Sequence, residues 1–211
     1  MTYTEMLART RDMLDESSAV YWSDANLYIY LSEGQRQIVN VALKIYLAKR
    51  EVIPNYPLPD ILRTLIDETE DLSFGTTGTT YDSLPADFLY DLHVEYDDNG
   101  AAPIPAFRAG ENAMRTFNQN NSYLSSSQSQ YTYWVDGANL NFGTAISGTG
   151  SYRLTYLKKP TEINGSTSAI LPTYTHEAIC KYAVSMALYK DKHPLAGEYY
   201  QLYLNELKAL L

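Results

Sequence analysis

Carboxylates are the most numerous groups in this sequence that could do chemistry. Between Asp60 and Glu111 stand Asp67, Glu68, Glu70, Asp71, Asp82, Asp87, Asp91, Glu95, Asp97 and Asp98, with Arg63 and Arg108 as their counter-charges in that stretch. Two such groups at the right separation could act as acid and base on a glycosidic bond. No spacing singles out a pair, and acids clustered in this way form a solvated face. His93, His176 and His193 are too scattered for a metal motif such as two histidines on adjacent helical turns. His176, near a helix start, and His193, between helices, read as surface or capping groups. Cys180 shares a helical stripe with Ala183 and Ala187 and has no assignable histidine base, so it reads as a small buried hydrophobe. Gly75, Gly78, Gly148 and Gly150 lie in Thr/Gly-rich loops that no P-loop lysine follows.

Two features bear on binding. Tyr131, Tyr133 and Trp134 stand beside Asn139 and Asn141, an arrangement that could stack a sugar, although aromatics at period two commonly pack across strands. Lys158 and Lys159 close a strand, where they solvate its edge or meet acids of a neighbouring copy. No catalytic, cofactor-binding or metal-ligating residue is assigned, and the chain is not expected to be an enzyme.

The elements that would carry these residues alternate in type along the chain. Thr2 with Glu5 forms a capping box for a first helix reaching about Asp15, with Tyr3, Met6, Leu7, Thr10 and Leu14 on one face. Ser23 caps a second helix, with Trp22 and Leu27 spaced as a hydrophobic staple. Leu27, Leu31, Gly34, Ile38, Val41, Ala42 and Ile45 give it a helical period that stops before Pro54, Pro57 and Pro59. A short helix is expected from Asp60 to about Glu70, burying Ile61, Leu62, Leu65 and Ile66.

Beyond Asp71 the period falls to two. Phe88 to Tyr96 alternates and enters an Asp97-Asp98-Asn99-Gly100 turn, and Pro103 and Pro105 favour an edge strand. A short helix over 110–118 would carry Met114 and Phe117, and Asn118 to Gln130 reads as a polar loop. Tyr131 to Val135, the Asp136-Gly137 pair, and Ala138 to Phe142 predict a hairpin. A further strand, Ser151 to Leu157, puts Tyr152, Leu154 and Tyr156 on one face. Helical spacing returns from Thr173 to about Lys190, and Pro194 suits the first turn of a last helix carrying Leu195, Tyr199, Leu202, Tyr203, Leu207 and Leu210. The expected fold class is α+β: a bundle of N- and C-terminal helices with a small antiparallel sheet inserted. Its parts are 1–70, a β-rich 71–160, and 161–211, which completes the bundle.

With 211 residues the chain should bury roughly 70% of its unfolded surface in one core, or a core with one insertion. A net charge of -9 opposes a surface that clamps phosphates, and from Asn118 to Ser151 Asp136 is the only charge. One cysteine excludes an intrachain disulfide, and the N-terminus lacks the apolar run of a secretory signal. No segment is long and apolar enough to span a bilayer, so a protein made and used in solution is expected. Twenty tyrosines against five phenylalanines favour rings that keep a hydroxyl, as core edges, wet interfaces and sugar-binding faces all require.

The order of several short motifs resembles the head-to-tail adaptors of tailed bacteriophages. They are Val20-Tyr21-Trp22-Ser23-Asp24, Tyr30-Leu31-Ser32-Glu33-Gly34-Gln35-Arg36, Leu84-Pro85-Ala86-Asp87-Phe88-Leu89, Gly150 through Pro160, and the helix beginning near Leu171-Pro172. The resemblance implies a virion protein without cofactor or membrane contact, forming a ring, typically of twelve copies, beneath the portal protein. It further implies contacts with downstream tail or nozzle proteins and a channel through which DNA passes without specific binding. The alternative function is a carbohydrate-binding or tail-associated module built on Tyr133 and Trp134.

Overall fold

The computed structural model describes residues 1–16, 21–53, 55–69, 72–73, 81–97, 103–109, 132–142 and 151–211. The expected helix over 110–118, the tract from Asn118 to Gln130, Tyr131 and the turn residues 98–100 lie outside the described residues. The fold is α+β and falls into two units: Met1–Leu65 with Lys159–Leu211, and Ile66–Lys158.

The first unit is helical. Helix α1 (Tyr3–Met13) starts on a complete capping box: Thr2 Oγ1 accepts from the Glu5 amide at 3.3 Å, and Glu5 accepts from the Thr2 amide at 2.7 Å. That backbone hydrogen bond holds the Glu5 carboxyl below its usual range. Helix α2 (Asp24–Val52) is capped by Ser23, whose Oγ accepts from the Asn26 amide at 3.2 Å. Trp22, Leu27 and Ala187 form a cluster, which is the predicted staple joined to a helix from the other end of the chain.

Helix α3 is a single turn, Asp60–Arg63. The structure corrects the expected longer helix here: Ile66 already begins strand β1 (Ile66–Glu68) and is 42% exposed rather than buried. Pairing with a partner strand captures a segment whose apolar spacing suits either state. A 3-10 turn at Thr173–Thr175 leads into α4 (His176–Lys190), and α5 (Ala196–Leu210) closes the unit. Pro194 stands one residue before the α5 cap, Leu195, and so outside the first turn where it was expected.

Helix α4 packs against α1, α2 and α5. Its sequence allows this because Ala178, Cys180, Ala183 and Ala187 are small and wholly buried, alongside Ile179 and Val184, so neighbours can approach it on several sides. Gly34 is needed at the α2 crossing, since a Cβ there would stand 3.0 Å from the Tyr182 ring and 3.2 Å from the Ile179 carbonyl. On the same stretch of α2, Ser32 Oγ accepts from the Ile163 amide at 2.9 Å. Gln35 donates to the Thr161 carbonyl at 2.8 Å and accepts from the Ile170 amide at 2.9 Å. The Tyr30-to-Arg36 motif thus ties down the backbone that returns from the β-rich unit.

The second unit holds two sheets. In the first, β1 and β2 (Leu72–Ser73) both pair with β9 (Ser151–Lys158), which pairs with β4 (Phe88–Asp97), with β5 (Ile104–Pro105) at the edge as its prolines require. The second runs β3 (Tyr81–Ser83), β8 (Asn139–Phe142), β7 (Thr132–Asp136), β6 (Phe107–Arg108), the last pair parallel. Val94, Tyr96, Tyr152 and Leu154 from one sheet share a core with Tyr133, Leu140 and Phe142 from the other.

Two details depart from the sequence reading. The β7–β8 hairpin pairs Asp136 with Asn139, so its loop is Gly137-Ala138 rather than Asp136-Gly137. Gly137 has φ +59 and Ala138 is not in the left-handed region, the pattern of a loop with glycine first. In β4 the pairing slips between Asp91 and His93, and this bulge breaks the predicted alternation and buries Asp91 to 3% exposure.

Candidate assembly surface

Several described acids of the β-rich unit have partners within the chain, some of them while staying exposed to solvent. Asp91 accepts from Tyr133 Oη at 2.8 Å and lies 3.4 Å from the Arg108 guanidinium. Asp82 accepts from Tyr152 Oη at 3.1 Å and Asp87 from Tyr156 Oη at 3.0 Å. Lys158 meets Asp67 at 2.9 Å in its own chain, and Arg153 meets Glu68 at 3.2 Å. The Lys158 hydrogen bond holds the Asp67 carboxyl below its usual range.

Burial, reinforced by the facing carboxylates, raises the phenols of Tyr133 and Tyr152, and that of Tyr156 to about 12. Burial likewise raises Tyr203 in the helical unit. A phenol held protonated in the folded state stabilises it below about pH 10, where unfolded tyrosine ionises, and that contribution is lost as the pH climbs through the folded value. Ionisation of Tyr133, Tyr152 and Tyr156 is therefore expected to accompany unfolding of the β-rich unit, and that of Tyr203 unfolding of the helical unit, each with loss of far-ultraviolet circular dichroism. A smooth phenolate titration at constant dichroism would contradict this.

The other chemically competent residues are dispersed. Cys180 is fully buried with its thiol pushed up to about 11, as expected for a packing residue. His93 is exposed on β4 and 3.2 Å from Glu95. His193 Nδ1 accepts from the Leu195 amide at 3.3 Å, a capping role. His176 is the correction: only 2% exposed, it contacts the Leu171 carbonyl through Nε2 at 2.9 Å, its Nδ1 has no hydrogen-bond partner, and burial lowers its pKa. The tertiary docking of the α4 start, invisible in local sequence, accounts for the difference. Among the described residues no group of three or more His, Cys, Asp or Glu could hold a metal ion. Tyr133 is 4% exposed and packed in the inter-sheet core, so it cannot present a stacking face to a sugar.

The helical unit carries an open apolar groove. Tyr182 of α4 meets Tyr203 of α5 edge-on, with ring centroids 5.2 Å apart. Beyond that contact, Met186, Tyr189, Ala196, Gly197 and Tyr200 line a groove of about 310 Å³. Tyr189 is 74% exposed and Tyr200 is 40% exposed. Past Tyr189 and Ala196 the groove opens into about 480 Å³ beside Lys190, Lys192 and His193. Neither lysine forms an ion pair among the described residues. Asp191, between them in sequence, instead accepts from Tyr21 Oη at 2.6 Å. Sequence reasoning did not single out this surface; the surplus of tyrosine was its only signal, and composition does not say which rings lie outside.

Among the described residues the polar side chains named above hold helices and sheets together, the histidines are dispersed, and the helical unit leaves an apolar groove open. The chain belongs to the SU10 adaptor protein family, whose family model matches residues 1–211, and it is a bacteriophage adaptor, a structural protein of the virion. No curated protein matches it.

Proposed function

We propose that this protein assembles in the host cytoplasm into a ring, twelve copies in the adaptors it resembles, which docks beneath the portal protein at the virion neck. There it joins the portal to downstream tail or nozzle proteins and forms part of the channel that DNA crosses. The match to the adaptor family along the whole chain carries this reading. The charge distribution supports it: Ile66–Lys158 holds twelve acidic residues against four basic ones, so most of the net charge of -9 resides in the β-rich unit. A channel lined by that unit offers phosphates few cations and lets DNA slide. In a ring, modest contacts between copies gain from simultaneous engagement, and head-to-tail faces close when the rotation permits. Among the described residues no helix is long and apolar enough to cross a membrane.

Negative-stain imaging of the protein alone and mixed with the portal of the same virion tests the reading. Rings, alone or capping the portal, are expected. Monomers throughout would overturn it.

A further inference from the structure

Resting on the ring reading above, we propose that the α4–α5 groove of one copy receives the β7–β8 hairpin tip of a second copy, with Asp136 facing Lys190 and Lys192. The occupant follows from charge complementarity between the groove mouth and an exposed turn of the β-rich unit. Among the described acids of the β-rich unit, Asp67, Glu68, Asp91 and Glu95 face cationic or histidine side chains, and Asp82 and Asp87 accept tyrosine hydroxyls. Asp136, by contrast, has no side-chain partner among the described residues. It is exposed, as are Gly137 and Ala138 beside it, and the loop ends a tight two-residue hairpin.

On the other side, Lys190 and Lys192 are exposed at the open end of the groove, and Asp191 is engaged elsewhere by Tyr21. The narrow part is lined by Ala196 and Gly197, small residues that leave room for a tip made of glycine and alanine. Each copy thus carries an exposed anion beside a small turn and an apolar slot with a cationic mouth. Such a contact is heterologous, and repetition closes it into a ring or extends it into a filament. Its charge pair fixes the register and makes association sensitive to salt.

The test measures self-association of the full chain by mass photometry at low and high salt. The variants are Asp136→Lys, Lys190→Glu with Lys192→Glu, and all three changes together, with melting temperature as the control for folding. Each half-swap is expected to weaken association at least about tenfold, and the triple change to recover most of that loss. Half-swaps that assemble like the parent overturn the contact while leaving the ring reading intact, as does a triple change that recovers nothing. Lysine variants that self-associate normally but no longer bind portal also overturn it, because the groove then belongs to the portal. A parent chain that stays monomeric with and without portal removes the ring reading itself.

Discussion

Replacing Arg11 with methionine is expected to destabilise the helical unit by about 3–5 kcal/mol, the range for removing one partner of a buried ion pair. Arg11 is 8% exposed although it lies on a short surface-edge helix, and it joins the end of α1 to the start of α2. Its guanidinium meets Glu16 at 3.0 Å, donates to the Trp22 carbonyl at 2.8 Å, and also meets Asp24. Glu16 in turn accepts from the amides of Tyr21 and Trp22, so a single cation ties together the residues that follow α1 and those that precede α2. The loss comes chiefly through Glu16, whose side chain is 12% exposed and would keep its amide donors but lose its cation. Asp24, with 55% of its side chain exposed, is screened by solvent and contributes little. Urea denaturation followed by tryptophan fluorescence and circular dichroism measures the effect. An unchanged midpoint at unchanged slope would show that the network stabilises nothing.

Gln35→Leu is the second large expected effect, at about 2–6 kcal/mol. Leucine keeps nearly the volume but removes both hydrogen-bonding ends of a side chain with no solvent exposure. The Thr161 carbonyl and the Ile170 amide would each lose a buried partner, at about 1–3 kcal/mol apiece. The expected signature is a lowered melting temperature with faster hydrogen exchange at Ile170. Unaltered exchange at that amide would show that the glutamine is not what holds the segment.

The ends of helices were legible because caps are local: Thr2, Glu5 and Ser23 act on amides within three residues, and the structure forms both caps. The core face of β9 was legible as well, since Tyr152, Leu154 and Tyr156 recur at period two and all are buried. What escaped depends on partners distant in sequence. The hairpin loop lies one residue further along than Asp-Gly chemistry suggested, because cross-strand pairing of Asp136 with Asn139 decides the register. The inward turn of Asp91 needs a bulge against β9, and the burial of Arg11 needs the Glu16 carboxylate that follows α1 and the Asp24 carboxylate that opens α2. At the candidate surface, the lysines and Asp136 were visible as charges, but that they keep no side-chain partner among the described residues became clear only from the fold.

The helical unit is assembled from both ends of the polypeptide, and this bears on how the protein is made. Arg9 pairs with Glu177, and Ser32 bonds to Ile163, so α1 and α2 leave the ribosome with their future neighbours still untranslated. At typical synthesis speeds of about 5–20 residues per second, their apolar sides wait on the order of ten seconds while the intervening sheets emerge. The sheets, contiguous in sequence, can fold during that pause. Growth of the nascent chain thus makes the last two helices the closing step, and a ribosome stalled before α4 would release an aggregation-prone fragment rather than a smaller working part.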